Sequence, residues 1–205
     1  MDETPPIFAE ALELLRGCPA GRTALAVVAR METQIEFSDA VAESSLRALA
    51  TPPVLTLNPV RSSTEQALSV AHQSGRLRTL ETGEYPQLTR ESRDVYVVKS
   101  VLLGLEADWT EVVIARELLH DGPERARETL LRCPTLRSYF KVAFETAYGK
   151  EPTEAELSRD QSEGLAALKH HALKWRQEFS RFTHYSANAG KRWDDAHPPR
   201  PKANA

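Results

Sequence analysis

The sequence predicts a mainly α fold, a multi-helix bundle with at most a small β-element in its N-terminal half. Three observations predict it. Apolar residues recur at spacings of three and four, as in Leu165, Leu168, Ala172, Trp175, Phe179 and Phe182, which is one stripe on a helix. Residues that start and stop helices recur at the ends of such stripes. Strand signals are few, the best being Val54 to Leu57 between Pro53 and Pro59.

The elements follow in order. Thr4, Pro5 and Pro6 open a helix whose face is Ile7, Phe8, Ala11, Leu12 and Leu15, ending near Gly17. Thr23 to Met31 fits a strand or a buried helix, so a second β-element at 24–29 stays open. Ser38 is placed to cap a helix through Leu49, with Val41, Ala42, Leu46 and Leu49 inward, until Pro52 and Pro53 stop it. Ser62-Ser63-Thr64-Glu65 forms a capping box, and Gly75 closes the helix it starts.

Residues 76–88 have the turn chemistry of a connector, including Thr82-Gly83-Glu84-Tyr85-Pro86. They divide an acidic, mixed subregion (1–80) from a helical bundle (89–193), with 81–88 as the joint. In the bundle, Thr89 opens a helix through Leu103, with Val95, Val98, Val101 and Leu102 inward. Asp108-x-x-Glu111 caps the next, which carries Val112, Val113, Leu118 and Leu119. Asp121-Gly122-Pro123-Glu124 separates that helix from another. Thr135 starts one with Leu136, Tyr139, Phe140, Ala143 and Phe144 on one side. Thr153-x-x-Glu156 starts the last, which runs to about Tyr185. Residues 194–205 are Pro-rich and polar and read as a disordered tail.

Totals bound the function. The chain of 205 residues is long enough to bury a core, and its net charge of −3 is not that of a general polyanion binder. No apolar run approaches the roughly 18–20 residues that span a bilayer. The start, Met-Asp-Glu-Thr-Pro-Pro, lacks the features of a secretory signal. Cys18 and Cys133 match no zinc spacing, and two reduced thiols in a cytoplasmic protein is the simpler reading than one long disulfide. The abundance of Ala, Arg and Leu suits a GC-rich bacterial gene.

Charge is distributed unevenly. Residues 1–88 hold seven bases and eleven acids, whereas Ala167 to Trp193 holds six Lys or Arg, one acid, three His and five aromatics. On the helix there, His170, Lys174, Gln177, Arg181 and His184 share a face that carries no carboxylate. Lys169, Arg176, Lys191 and Arg192 extend its positive charge, and such a face suits a phosphate backbone. Tyr185 and Trp193 are candidates to stack on bases or to anchor a protein partner.

A second constellation spans Ala107 to Arg132. A helix from Asp108 to Leu119, a turn at Gly122 and a helix from Pro123 match helix-turn-helix dimensions. Arg125, Arg127, Thr129 and Arg132 would face DNA, although Glu124 and Glu128 share that short helix and Gly122-Pro123 is an unusual turn. His120-Asp121 invites a metal reading, but no spacing brings His72, His170 or His171 to it, and Asp121 already serves as a helix cap.

No catalytic motif is present: there is no G-x-S-x-G, phosphate loop or H-E-x-x-H. No cofactor or metal is called for. The resulting expectation is a non-enzymatic nucleic-acid-binding accessory or regulatory protein that contacts phosphates through its basic C-terminal helix. The alternative is an adaptor or inhibitor engaging a protein through the aromatic and basic surface. An apolar stripe can be buried within a monomer or across a homodimer.

Overall fold

The computed structural model describes residues 5–42, 44–118 and 180–198, and the architecture is mainly α. Five helices and one small sheet in the N-terminal half are seen among the described residues. Pro6 opens α1 (Pro6–Gly17) and Pro19 opens α2 (Pro19–Arg30), each at a position whose N–H would lack a helical partner anyway. Thr23 to Arg30 is therefore helix and not strand, and Met31 caps its end. Its Ala24, Val27 and Val28 pack in the core at helical spacing. Gly21 lets α1 and α2 meet at a tight corner, since a Cβ there would lie 2.2 Å from the Leu15 carbonyl oxygen.

α2 ends with Glu32 in the left-handed region at φ 50°, where Thr33 N–H donates to the Val28 carbonyl. The chain then enters β1 (Gln34–Phe37), followed by β2 (Ser44–Arg47) and β3 (Val54–Leu57). β3 is central. It pairs in parallel with β1, from Gln34 opposite Val54 to Phe37 opposite Leu57, and antiparallel with β2.

The Val54–Leu57 strand was legible, but the helix expected from Ser38 to Leu49 is not formed. A turn and β2 occupy that stretch, and Leu49 is 68% exposed. The alternation in β2 points Leu46 toward the core while Ser45 and Arg47 face solvent. With only four residues per strand, period two and period 3.6 are hard to tell apart in sequence.

Ser62 caps α3 (Ser63–Glu81) through the expected reciprocal box. Gly75, however, does not close that helix. The closing glycine is Gly83, at φ 74°, where Glu84 N–H donates to the Thr79 carbonyl at 2.8 Å. The two helices expected from Thr89 to Leu103 and from Asp108 onward are one continuous 26-residue helix, α4 (Arg93–Leu118). It is buried on nearly all sides, as a central helix is. Val95 on its first turn is exposed, contrary to the inward position expected of it.

α1, α2, β3, α3 and α4 contribute to one core cluster, including Phe8, Leu15, Val27, Leu55, Leu68, Leu105 and Ile114. α4 also supplies a cap across the fold: Glu117 accepts the Ala20 N–H at the start of α2 at 2.9 Å. Beside that cap, burial pushes the free Cys18 thiol up to about 11.

The final described helix, α5 (Ser180–Ala196), lies antiparallel to α4. Asp194 meets Arg93 and Tyr185 meets Asp108. It includes Asp194 to Ala196, which the sequence assigned to a tail, because the bidentate Arg93–Asp194 pair and a Trp193 contact hold that turn in place. Among the described residues, no helix is long and apolar enough to cross a membrane.

Candidate functional site

The candidate site lies where α3, α4 and α5 meet, and glycines set their spacing. A Cβ at Gly75 of α3 would lie 2.6 Å from the Glu106 carbonyl oxygen and 2.8 Å from Ala107 Cα. Only glycine allows the two backbones this approach. On α4, a Cβ at Gly104 would stand 2.9 Å from the Tyr185 ring, so that ring rests directly on the helix backbone.

One turn along α4 from Gly104, Asp108 and Glu111 share a face at spacing i, i+3. His72 of α3 points at both. Its Nδ1 is 3.1 Å from Glu111 Oε2 and 3.7 Å from Asp108 Oδ1. The two carboxylates are buried and the imidazole half-buried. From α5, the Tyr185 hydroxyl donates to Asp108, at 3.1 Å from Oδ2. Nearby, Arg78 pairs at 3.2 Å with Glu106, whose side chain is 1% exposed. The imidazole and the two α4 carboxylates are metal-ligand types presented within 4.8 Å of one another.

Against this cluster lies a cavity of about 330 Å³. His72 and Tyr185 form part of its wall, and Arg76, Tyr85, Tyr96, Ser100, Asn188 and Arg192 provide the rest of its polar lining. Arg76 follows His72 by one helical turn, and Asn188 and Arg192 follow Tyr185 by one and two turns, so each set lies on one helix face. Arg76 donates to Gln73 Oε1. Among the described residues, neither Arg76 nor Arg192 pairs with a carboxylate. Arg22 and Arg90, outside the cavity lining, are likewise without one among the described residues, whereas Arg16, Arg30, Arg47, Arg61, Arg78 and Arg93 each have one.

The rim is fixed where α4 begins. Trp193 donates from Nε1 to the Glu91 carbonyl at 3.2 Å and stacks on His197, with ring centroids 4.0 Å apart. Tyr96, Val97 and Ala189 form a small cluster with Leu88 and Trp193. The hydrogen bonds from Arg93, helped by its charge, hold the Asp194 carboxyl below its usual range.

The residues singled out in the sequence are placed as follows. Lys191 and Arg192 are exposed on α5, and Arg192 reaches the cavity rim. Arg181 lies within α5. Tyr185 and Trp193 are half-buried, and each donates its polar hydrogen inside the protein. Lys169, His170, Lys174, Arg176, Arg125 and Arg132 lie outside the described residues, as does His120-Asp121. The first helix of the expected helix-turn-helix, starting at Asp108, is instead the second half of α4. Its expected partner helix lies outside the described residues.

Sequence reasoning missed His72 with Asp108 and Glu111, and Arg76 with Arg192. Asp108-x-x-Glu111 was visible as a motif but was assigned to a helix start. The signal that separates the two cases is the chain before it, Leu103 to Ala107, which contains neither Pro nor a turn sequence. Comparison with protein-family models, with curated proteins and with solved structures found no match.

Proposed function

We propose that this protein binds a phosphate-bearing nucleotide unit, at the end of a nucleic acid strand, in the cavity between α3, α4 and α5. One observation carries the reading: Arg76 and Arg192 line the same cavity without a carboxylate partner among the described residues. A guanidinium left free of carboxylates beside a cleft is suited to bidentate phosphate contact. Three tyrosines share the lining, of which the half-buried Tyr85 is suited to stack on a base, while Tyr96 is buried and the Tyr185 ring rests on α4. The volume lies at the lower end of the range for small-ligand sites, about 300–1,000 Å³. Lys191, exposed next to Arg192, extends positive charge away from the cavity along α5. This supports the expected role of the C-terminal helix as the phosphate-contacting element, with Arg76 of α3 added to it. The adaptor reading has less support, because Tyr185 and Trp193 make internal hydrogen bonds.

The test is a fluorescence-anisotropy titration with short single- and double-stranded oligonucleotides, carrying or lacking a terminal phosphate, at low and near-physiological salt. Binding should prefer the terminal phosphate and weaken with salt. It should fall at least about tenfold in Arg76→Gln/Arg192→Gln, with a shallower salt dependence. Lys174→Glu/Arg181→Glu reports separately on the basic face expected from the sequence. No binding at low salt, or binding indifferent to the Arg76/Arg192 pair, overturns the proposal.

A further inference from the structure

We infer that His72, Asp108 and Glu111 form a binding site for a first-row divalent cation of the zinc type. The site is separate from the arginine-lined part of the cavity, and the inference does not depend on what the cavity binds. Geometry is the first argument. Ligand atoms about 2.1 Å from a tetrahedral cation stand about 3.4 Å from one another. The distances from His72 Nδ1 to Glu111 and Asp108, 3.1 and 3.7 Å, fall on either side of that spacing. All three donor groups lie within 4.8 Å of one another, so a cation needs only small side-chain rotations to reach each of them.

Chemistry is the second argument. One imidazole with two carboxylates is a donor set for Zn²⁺, Mn²⁺ or Fe²⁺, and the imidazole weighs against Mg²⁺ or Ca²⁺. A divalent charge suits a place where two carboxylate side chains lie side by side. His72 Nδ1 passes from hydrogen bonding Glu111 to the cation, while the ring proton resides on Nε2.

The surroundings are those of a held ligand set. The Tyr185 hydroxyl donates to Asp108 and fixes the direction of that carboxylate. Gly75 allows the backbone approach that brings His72 to the α4 pair. Arg76, one turn after His72, is not a ligand, so α3 offers one imidazole and no second one at i+4. The site therefore differs from that of a helix carrying two histidines and a general-base glutamate. Cation binding is inferred, and hydrolysis is not.

The test uses the untagged full chain and two probes, Zn²⁺ by calorimetry and Co²⁺ by visible absorption. The expected result is one equivalent bound, with a Co²⁺ spectrum of low coordination number that chelator removes. Asp108→Asn, Glu111→Gln and His72→Ala should each weaken binding by more than about 100-fold, and Tyr185→Phe by about tenfold. Far-UV circular dichroism identifies variants that remain folded, and Tyr185→Phe, which leaves all three ligands intact, serves if the others do not. Three results overturn the inference: no stoichiometric binding by the native chain, binding unchanged in the folded ligand variants, or, where no ligand variant folds, a Co²⁺ affinity and spectrum that Tyr185→Phe leaves unaltered.

Discussion

Two stretches of this chain share the pattern of a short polar residue followed three places later by glutamate, Ser62 to Glu65 and Asp108 to Glu111. At the first, the backbone of Ser62 is extended, its hydroxyl accepts the Glu65 N–H at 3.3 Å, and Glu65 accepts the Ser62 N–H at 3.2 Å. The helix starts there because Asn58-Pro59 has turned the chain beforehand, with the Asn58 side chain accepting the Val60 N–H. At the second, the preceding residues are already helical, with Leu105 and Ala107 buried. The two acids then turn to His72 on another helix. The same spacing caps a helix where the chain can leave helical geometry, and builds a polar site where it cannot.

The largest effect is expected from breaking the helix approach on which the second stretch depends. A methyl at Gly75 meets backbone atoms of Glu106 and Ala107, which cannot swing aside. Gly75→Ala should lower unfolding stability by about 3 kcal/mol in urea titration. Gly17→Ala, where no atom lies within 4 Å of the added Cβ, should change it by less than about 0.5 kcal/mol. Equal tolerance at both positions would show that α3 and α4 are not seated against each other at Gly75.

A paired substitution sharpens the comparison by reversing sign. At an N-cap, glycine is tolerated better than alanine, so Ser62→Ala should cost about 1 kcal/mol and Ser62→Gly only a few tenths. Inside a helix the order inverts. Asp108→Ala should cost about 2 kcal/mol, because the Tyr185 hydroxyl loses its acceptor and His72 a carboxylate at 3.7 Å, and Asp108→Gly about 1 kcal/mol more. Chemical unfolding of the four variants measures both orders. If glycine were the better residue at position 108 as well, a helix would begin there and the continuous α4 would be wrong.

These two stretches also show why some of the molecule was legible in sequence and some was not. Pro6, Pro19, the Ser62 box and the β3 residues between Pro53 and Pro59 act locally, so their consequences could be read locally. Gly75 and Gly83 could not be told apart by composition. Gly83 adopts a positive φ and ends α3, whereas Gly75 makes room for a helix whose closest residues begin more than thirty positions later. β2 was taken for helix because four alternating residues carry little periodicity. For the site, the individual signals were on view, including His72, the Asp108–Glu111 pair and Arg192. Their convergence depends on the packing of α3 and α5 on α4, which no local pattern encodes.

A third acid on α4 extends the contrast at lower cost. Glu117 performs the capping role that Asp108 does not, though for α2 and not for its own helix, through the Ala20 N–H. Glu117→Ala should cost about 1 kcal/mol, in the range of a lost cap. Glu117→Gln, which keeps the acceptor and removes the charge, should recover part of it. No loss in either variant would mean that the start of α2 is satisfied in another way.

The smallest effect concerns the ion pair that fastens the end of α5 beside the site. Hydrogen bonds from Arg93, helped by its charge, depress the Asp194 carboxyl, which therefore binds a proton less readily folded than unfolded. The unfolded chain takes up more protons in that interval, so stability rises with pH there. The contribution is fully present above the ordinary carboxylate value and is lost as pH falls through the depressed one. Melting curves of the native chain and Asp194→Asn, run from neutral pH to about pH 3, should differ at the neutral end and converge at the acidic end. Because both partners are about half exposed, the gap should be small and should close further in high salt. A gap that stayed constant down to the lowest pH would assign the effect of the asparagine to something other than this pair.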